Sequence, residues 1–152
     1  HAAIAAGIGM VHQHFMLVEN FTTLENVVLG VEGGARLAGG LANARRALEE
    51  LAETYGLEVP LDARVSELPV GLQQRVEILK ALYRRAEVLI LDEPTAGLDP
   101  ETAAHVIDLS RSLASAGRSV VMVTHVAAHA EALGGTRYVL HEGRLSRRAD
   151  PS

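Results

Sequence analysis

The sequence predicts an α/β fold built on a parallel sheet. Val88–Leu91 and Val120–Val123 are short, unbroken apolar runs, the composition of strands covered on both faces. From Val88 onward, strand and helix patterns alternate, which implies parallel pairing through right-handed crossovers. Between a first short strand and Val88 lies a stretch, about Phe21 to Arg85, whose regular patterns are helical.

The elements follow in order. Ile8–Val11 is a short strand leading to Gln13. Thr22 or Thr23 can cap a helix carrying Leu24, Val27 and Val28. Gly30–Gly40 is glycine-rich and is expected to be a loop. Leu41, Ala44, Leu48, Leu51 and Tyr55 then recur at three- and four-residue steps on one helix face. Arg45 and Glu49, like Arg46 and Glu50, lie one turn apart on the wet side, and Gly56 ends the helix. Leu57–Pro69 is irregular, and Gly71 to about Arg85 is helical around Val76, Leu79 and Tyr83. Asp99-Pro100-Glu101 is a strong helix start, with an N-cap acid, a proline at the first position and an acid in the first turn. That helix buries Val106, Leu109 and Leu113 and stops near Gly117. A second buried strand over Ser119–Thr124 ends at His125. A short helix over Ala127–Leu133, a strand at Arg137–His141, a turn at Glu142-Gly143 and a polar tail complete the chain.

With 152 residues and 48% apolar content, the chain can bury a sizeable core. Its formal net charge of −5 gives no reason to expect a nucleic-acid partner. The absence of cysteine excludes disulfides and thiolate metal sites. No apolar run approaches the roughly 20 residues that span a bilayer. The chain opens on His1 rather than Met, as a piece of a longer reading frame would.

The Val88 strand ends in two adjacent carboxylates, Asp92 and Glu93. Carboxylates at the edge of a core are costly unless paired or bound to a cation, and open α/β sheets bind ligands at the carboxyl ends of their strands. One reading is a strand exit with two solvated acids. The other gives Asp92 a Mg²⁺ ion and Glu93 a water molecule to orient or deprotonate. His125 ends the neighbouring strand, where it is either a surface histidine or an imidazole within reach of a phosphate. His12-x-His14 and His125-x-x-x-His129 have metal-site spacings but lack the acidic third ligand of the metalloprotease pattern. Gly7-x-Gly9 stands at the start of its strand rather than after it and lacks a third glycine, and no Gly-x-Ser-x-Gly elbow occurs.

The string Val88-Leu89-Ile90-Leu91-Asp92-Glu93-Pro94-Thr95-Ala96-Gly97-Leu98-Asp99 resembles the Walker B motif and D-loop of ATP-binding cassette ATPases. Leu68-Pro69-Val70-Gly71-Leu72-Gln73-Gln74-Arg75 resembles the family's signature motif, usually Leu-Ser-Gly-Gly-Gln followed by Gln and Arg. Met10-Val11-His12-Gln13, with Phe15-Met16-Leu17 and Leu24-Glu25-Asn26-Val27 after it, is similar to the Q-loop region. The resemblance covers nearly the whole chain. It implies a P-loop NTPase-like (RecA-like) parallel core over about 1–19 and 87–148 with a helical subdomain over about 20–86. It also implies that Glu93, His125 as switch histidine and Gln13 act on ATP. Asp92 and Gln13 would serve Mg²⁺, and Asp99, Pro69, Val70, Gly71, Leu72 and Gln73 would contact nucleotide, the signature residues doing so across a dimer. A helix N-terminus suits that task, since it offers amide hydrogens and a positive dipole end to phosphate.

Two departures stand out: Pro69 replaces a serine, and Val70 replaces a glycine. A signature of this kind is similar to that of one half of the tandem ATPases of nucleoside and simple-sugar importers. The implied setting is the cytoplasmic face of the cell membrane. The implied partners are a second ATPase domain, a permease whose cytoplasmic helix would seat near Phe15, Met16, Leu17 and Phe21, and indirectly a periplasmic or lipoprotein substrate-binding protein. No Gly-x-x-x-x-Gly-Lys-Ser/Thr occurs; Gly34–Gly39 is followed by Gly40-Leu41 and lacks the lysine that reaches the phosphates. The chain by itself is therefore expected to bind ATP poorly and to hydrolyse it negligibly. Two alternatives share parts of the pattern. A chromosome- or repair-type ATPase would carry a long coiled coil between Gln13 and Leu68, where no heptad run is found. A non-catalytic regulatory half fits Pro69 and Val70 but not an intact Asp92-Glu93 and His125.

Overall fold

The computed structural model describes residues 2–30 and 37–148. The order is α1 (Ala2–Ala5), β1 (Ile8–Val11), α2 (Thr23–Val28), α3 (Leu37–Tyr55), a 3-10 turn at Val65–Glu67 and α4 (Val70–Tyr83). Then come β2 (Val88–Asp92), α5 (Pro100–Ser115), β3 (Ser119–Val123), α6 (Ala127–Leu133), β4 (Tyr138–His141) and β5 (Arg144–Arg147). The first three strands form one parallel sheet with β2 in the middle. Its register sets Val11 against Leu91 and Asp92 against Val123.

Local chemistry fixes the helix starts. Thr22 is the cap of α2: its hydroxyl accepts from the Glu25 N–H at 3.2 Å, and the Glu25 carboxylate accepts from the Thr22 N–H at 2.8 Å. Asn26, almost fully buried, accepts from the Val18 N–H at 2.7 Å and donates to the Val18 and Thr22 carbonyls, which organises the approach to α2. Asp99 caps α5 with Pro100 at its first position.

By strand alternation, Gly9, Leu89 and Val120 share a sheet face with Val11, Leu91 and Met122. That face meets α4 and α5 in a single apolar core with Leu48, Leu57, Val76, Ile78, Leu79 and Leu113. The closest approach is at Gly9, where an added Cβ would lie 2.9 Å from the Ala86 Cβ and 3.1 Å from the Ala81 Cβ. Gly9→Ala is therefore expected to destabilise the fold by about 1–3 kcal/mol, since overpacking moves α4 off the strand. An unchanged urea midpoint would show that the layers separate freely.

Four expectations are corrected. The α3 helix begins at Leu37, so the end of the presumed Gly30–Gly40 loop is helical; residues 31–36 lie outside the described residues. Gly39 and Gly40 fall in its first turn. Neither β2 nor β3 is buried on both faces. Val121 and Val123 are about half exposed, because the face they share with Met10 and Ile90 is left open among the described residues. The polar tail contains β5, which pairs antiparallel with β4, so β4 does not join the parallel sheet. Glu142 and Gly143 both have positive φ (47° and 74°), the turn whose twist returns a chain as a hairpin.

Candidate functional site

Three parallel strands end at one edge of the sheet, and four of the expected residues gather there. Gln13 lies in the exposed bend two residues beyond β1, Asp92 is the last residue of β2, Glu93 follows it, and His125 stands two residues beyond β3. Alternation along β2 puts Asp92 on the open face with Ile90.

Glu93 is the geometric centre of this edge. Its backbone has φ 47°, a left-handed conformation uncommon for a residue with a side chain. Its N–H donates to the Val123 carbonyl at 2.9 Å, which carries the β2–β3 pairing one step further. The turn closes through Ala96 N–H to the Glu93 carbonyl at 3.0 Å. The Glu93 Oε1 accepts from the His125 N–H at 3.0 Å and lies 2.9 Å from the His125 Nδ1. The Oε2 atom is buried without a hydrogen-bond partner. The carboxylate side chain is only 16% exposed, whereas that of His125 is 78% exposed. One oxygen is thus held while the other is sheltered and uncommitted, and His125 presents most of its ring to solvent.

An uncommitted carboxylate oxygen suits a water molecule or a metal-bound water. Among the described residues no group of three or more acids, histidines or cysteines could hold a metal ion by itself. Mg²⁺ typically takes one or two carboxylates and completes its shell with phosphate oxygens and water, so Asp92 with the Gln13 amide is a chemically suitable partial set.

The Asp99 carboxylate is engaged elsewhere. Its Oδ1 accepts from the N–H groups of Glu101 and Thr102, and its Oδ2 accepts from the Thr102 hydroxyl at 2.6 Å. The Thr102 hydroxyl, then the backbone amides, hold its pKa below the ordinary aspartate value. Residues 69–73 open the helix α4 rather than follow a strand of the sheet. Pro69 is the N-cap of α4 without a side-chain cap bond, and the Leu72 and Gln73 N–H groups turn back to its carbonyl at 2.9 and 3.1 Å. The Gln73 amide donates to the Leu68 carbonyl at 2.8 Å, and Val70 is 46% exposed. Gly71 meets the start of α5: a Cβ there would lie 3.0 Å from the Thr102 Cγ2.

Three further contacts escaped the sequence reading. The Thr95 hydroxyl lies 2.9 Å from the His129 Nδ1, so the two histidines of the His125-x-x-x-His129 spacing take separate partners in the 93–99 turn. On α4, Lys80 donates to the Met16 carbonyl at 2.9 Å and Arg84 to the Leu29 carbonyl at 2.6 Å, fastening both ends of the segment that exposes Met16, Val18 and Phe21. Burial of Lys80 lowers its pKa. The one-turn spacing of these cations was visible in the sequence; their carbonyl partners, more than 50 residues away, were not.

The parallel sheet, with acids and a histidine at its carboxyl edge, has the fold of a P-loop NTPase-like α/β core, as comparison with known proteins shows. The sequence pattern described as ABC transporter matches residues 1–96, and the chain belongs to that family. It is 44% identical over 138 residues to the nucleoside import ATP-binding protein NupA of Lactococcus lactis, covering 91% of this chain and 27% of that one. It is 43% identical to the glucose import ATP-binding protein TsgD13 of Haloferax volcanii, covering 93% of this chain and 31% of the relative. The chain thus spans under a third of the length of either. Among solved structures, the dimeric post-hydrolysis state of the ATP-binding cassette MJ0796 bound to ADP and Pi superposes with a TM-score of 0.73 at 32% identity, covering 94% of this chain and 64% of that one.

Proposed function

We propose that the full-length protein is the ATP-hydrolysing subunit of an ABC importer for nucleosides or simple sugars. The observation that carries this reading is the Glu93 carboxylate, held by His125 through one oxygen and free at the other, at the edge where Gln13 and Asp92 also stand. Glu93 orients the attacking water and takes its proton, His125 faces the γ-phosphate, and Asp92 with Gln13 serves Mg²⁺. Bound Mg²⁺ would neutralise charge on the phosphates. Residues 69–73 open α4 rather than follow a strand, and in this proposal they face nucleotide held by a second ATPase domain, with Asp99 near the same junction. The dimeric MJ0796 assembly and the import functions named for NupA and TsgD13 support the same reading.

The division into a helical subdomain over about 20–86 and a core over about 1–19 and 87–148 belongs to this proposal. So does a permease seated near Met16 and Phe21, which are exposed. No helix among the described residues is long and apolar enough to cross a membrane. In this proposal the permease is what holds the protein at the cytoplasmic face. A substrate-binding protein would deliver the solute from the other side.

The test is uptake into liposomes holding the full-length protein and its permease, with the binding protein added outside. Mg-ATP inside is expected to drive accumulation of a labelled nucleoside or simple sugar. Accumulation of an amino acid instead would overturn the substrate class. Hydrolysis stimulated by DNA and not by the permease would favour the chromosome-type alternative.

A further inference from the structure

The short helix α6 is weakly anchored by packing: none of its residues is buried, and its N-cap, Val126, makes no side-chain cap bond. Yet it follows directly on His125. Polar contacts join this region to the 93–99 turn at two places. One is the Glu93–His125 contact; the other joins Thr95, only 7% exposed, to His129 at 2.9 Å. His129 lies one helical turn beyond His125, so both contacts come from a single helix and its entry. We propose that His129 is a positioning residue for hydrolysis: its bond to Thr95 fixes the 93–99 turn to α6, so that Glu93 and His125 keep their geometry as one unit. The far end of the same turn is Asp99, which caps α5, and Thr102 of α5 rests against Gly71. The 93–99 turn thus joins the strand edge to the residue 69–73 motif by continuous contacts.

This inference rests on the reading of the protein as an ATPase, and its test separates the two. Steady-state hydrolysis of Mg-ATP by the full-length protein is measured for His129→Ala, His129→Asn, Thr95→Val and the double variant His129→Ala/Thr95→Val. Loss of one neutral hydrogen bond from a positioned site corresponds to about a three- to tenfold fall in kcat. That fall is expected for His129→Ala and Thr95→Val, with KM for ATP unchanged. The double variant should be no slower than either single one, as for two halves of one contact. Asparagine places a polar atom near the position of Nδ1, so His129→Asn should restore most of the rate. Amide hydrogen exchange at residues 96–98, followed without nucleotide, should quicken in His129→Ala and Thr95→Val but not in His129→Asn. Unchanged kcat, additive losses, or unchanged exchange would overturn the positioning role. If the wild-type protein hydrolyses no ATP, the functional reading falls, and the exchange rates alone decide whether His129 holds the turn.

Discussion

Glu93→Gln in the full-length protein is expected to lower Mg-ATP hydrolysis by about 100-fold or more, the scale of a lost general base, while ATP affinity stays within a few-fold of wild type. The substitution is nearly isosteric. A glutamine carbonyl can still accept from the His125 N–H, so the 2.9–3.0 Å contacts that shape the strand edge have a neutral counterpart. What disappears is the charge and the capacity of the sheltered Oε2 to take a proton. Single-turnover hydrolysis alongside equilibrium nucleotide binding separates the two effects. Hydrolysis above about one-tenth of wild type would move proton removal to another group. Asp92→Asn should differ in kind, weakening Mg²⁺-dependent binding before it slows turnover.

Pro69→Ser combined with Val70→Gly is the second large effect. If residues 69–73 complete a site on a partner's nucleotide, Pro69 withholds a hydroxyl and a backbone N–H from the phosphate. A hydrogen bond to a charged group contributes about 1.5–3 kcal/mol, so the double replacement should raise turnover at that composite site by roughly ten- to a hundredfold. The structure makes the comparison clean. Pro69 makes no side-chain cap bond, so a serine there gains one to the start of α4, about 1 kcal/mol. Val70 is 46% exposed, so little burial is lost, and glycine in a helix costs about as much as the cap gains. Unchanged or lower turnover, with an unchanged melting temperature, would mean that Pro69 belongs to a fully working site.

Much of this was legible in the residues. The apolar runs of β1 and β2, the Asp99-Pro100 cap and the three- and four-residue steps of α3 and α4 are local signals, and the structure follows them. Local signals also gave the chain positions of Asp92, Glu93 and His125 at strand ends. The contact between Glu93 and His125 was not legible, because it joins residues 32 apart and depends on the left-handed backbone at Glu93. Polarity hid β5: Arg144-Leu145-Ser146-Arg147 lacks the β-branched composition of a strand and pairs because the turn before it returns the chain. Composition misled on the covering of β2 and β3, since an apolar run shows that a strand could be covered, not that both its faces are.

The conformation of Glu93 has a consequence for how this chain can change. A non-glycine residue held at φ 47° costs of the order of 1 kcal/mol or more, a cost that glycine would escape. Selection for thermal robustness alone would therefore drift toward glycine at this position and away from the carboxylate. Stability and chemistry pull in opposite directions on one residue. A descendant freed from hydrolysis would be expected to lose its acid here early, with the rest of the sheet edge still intact.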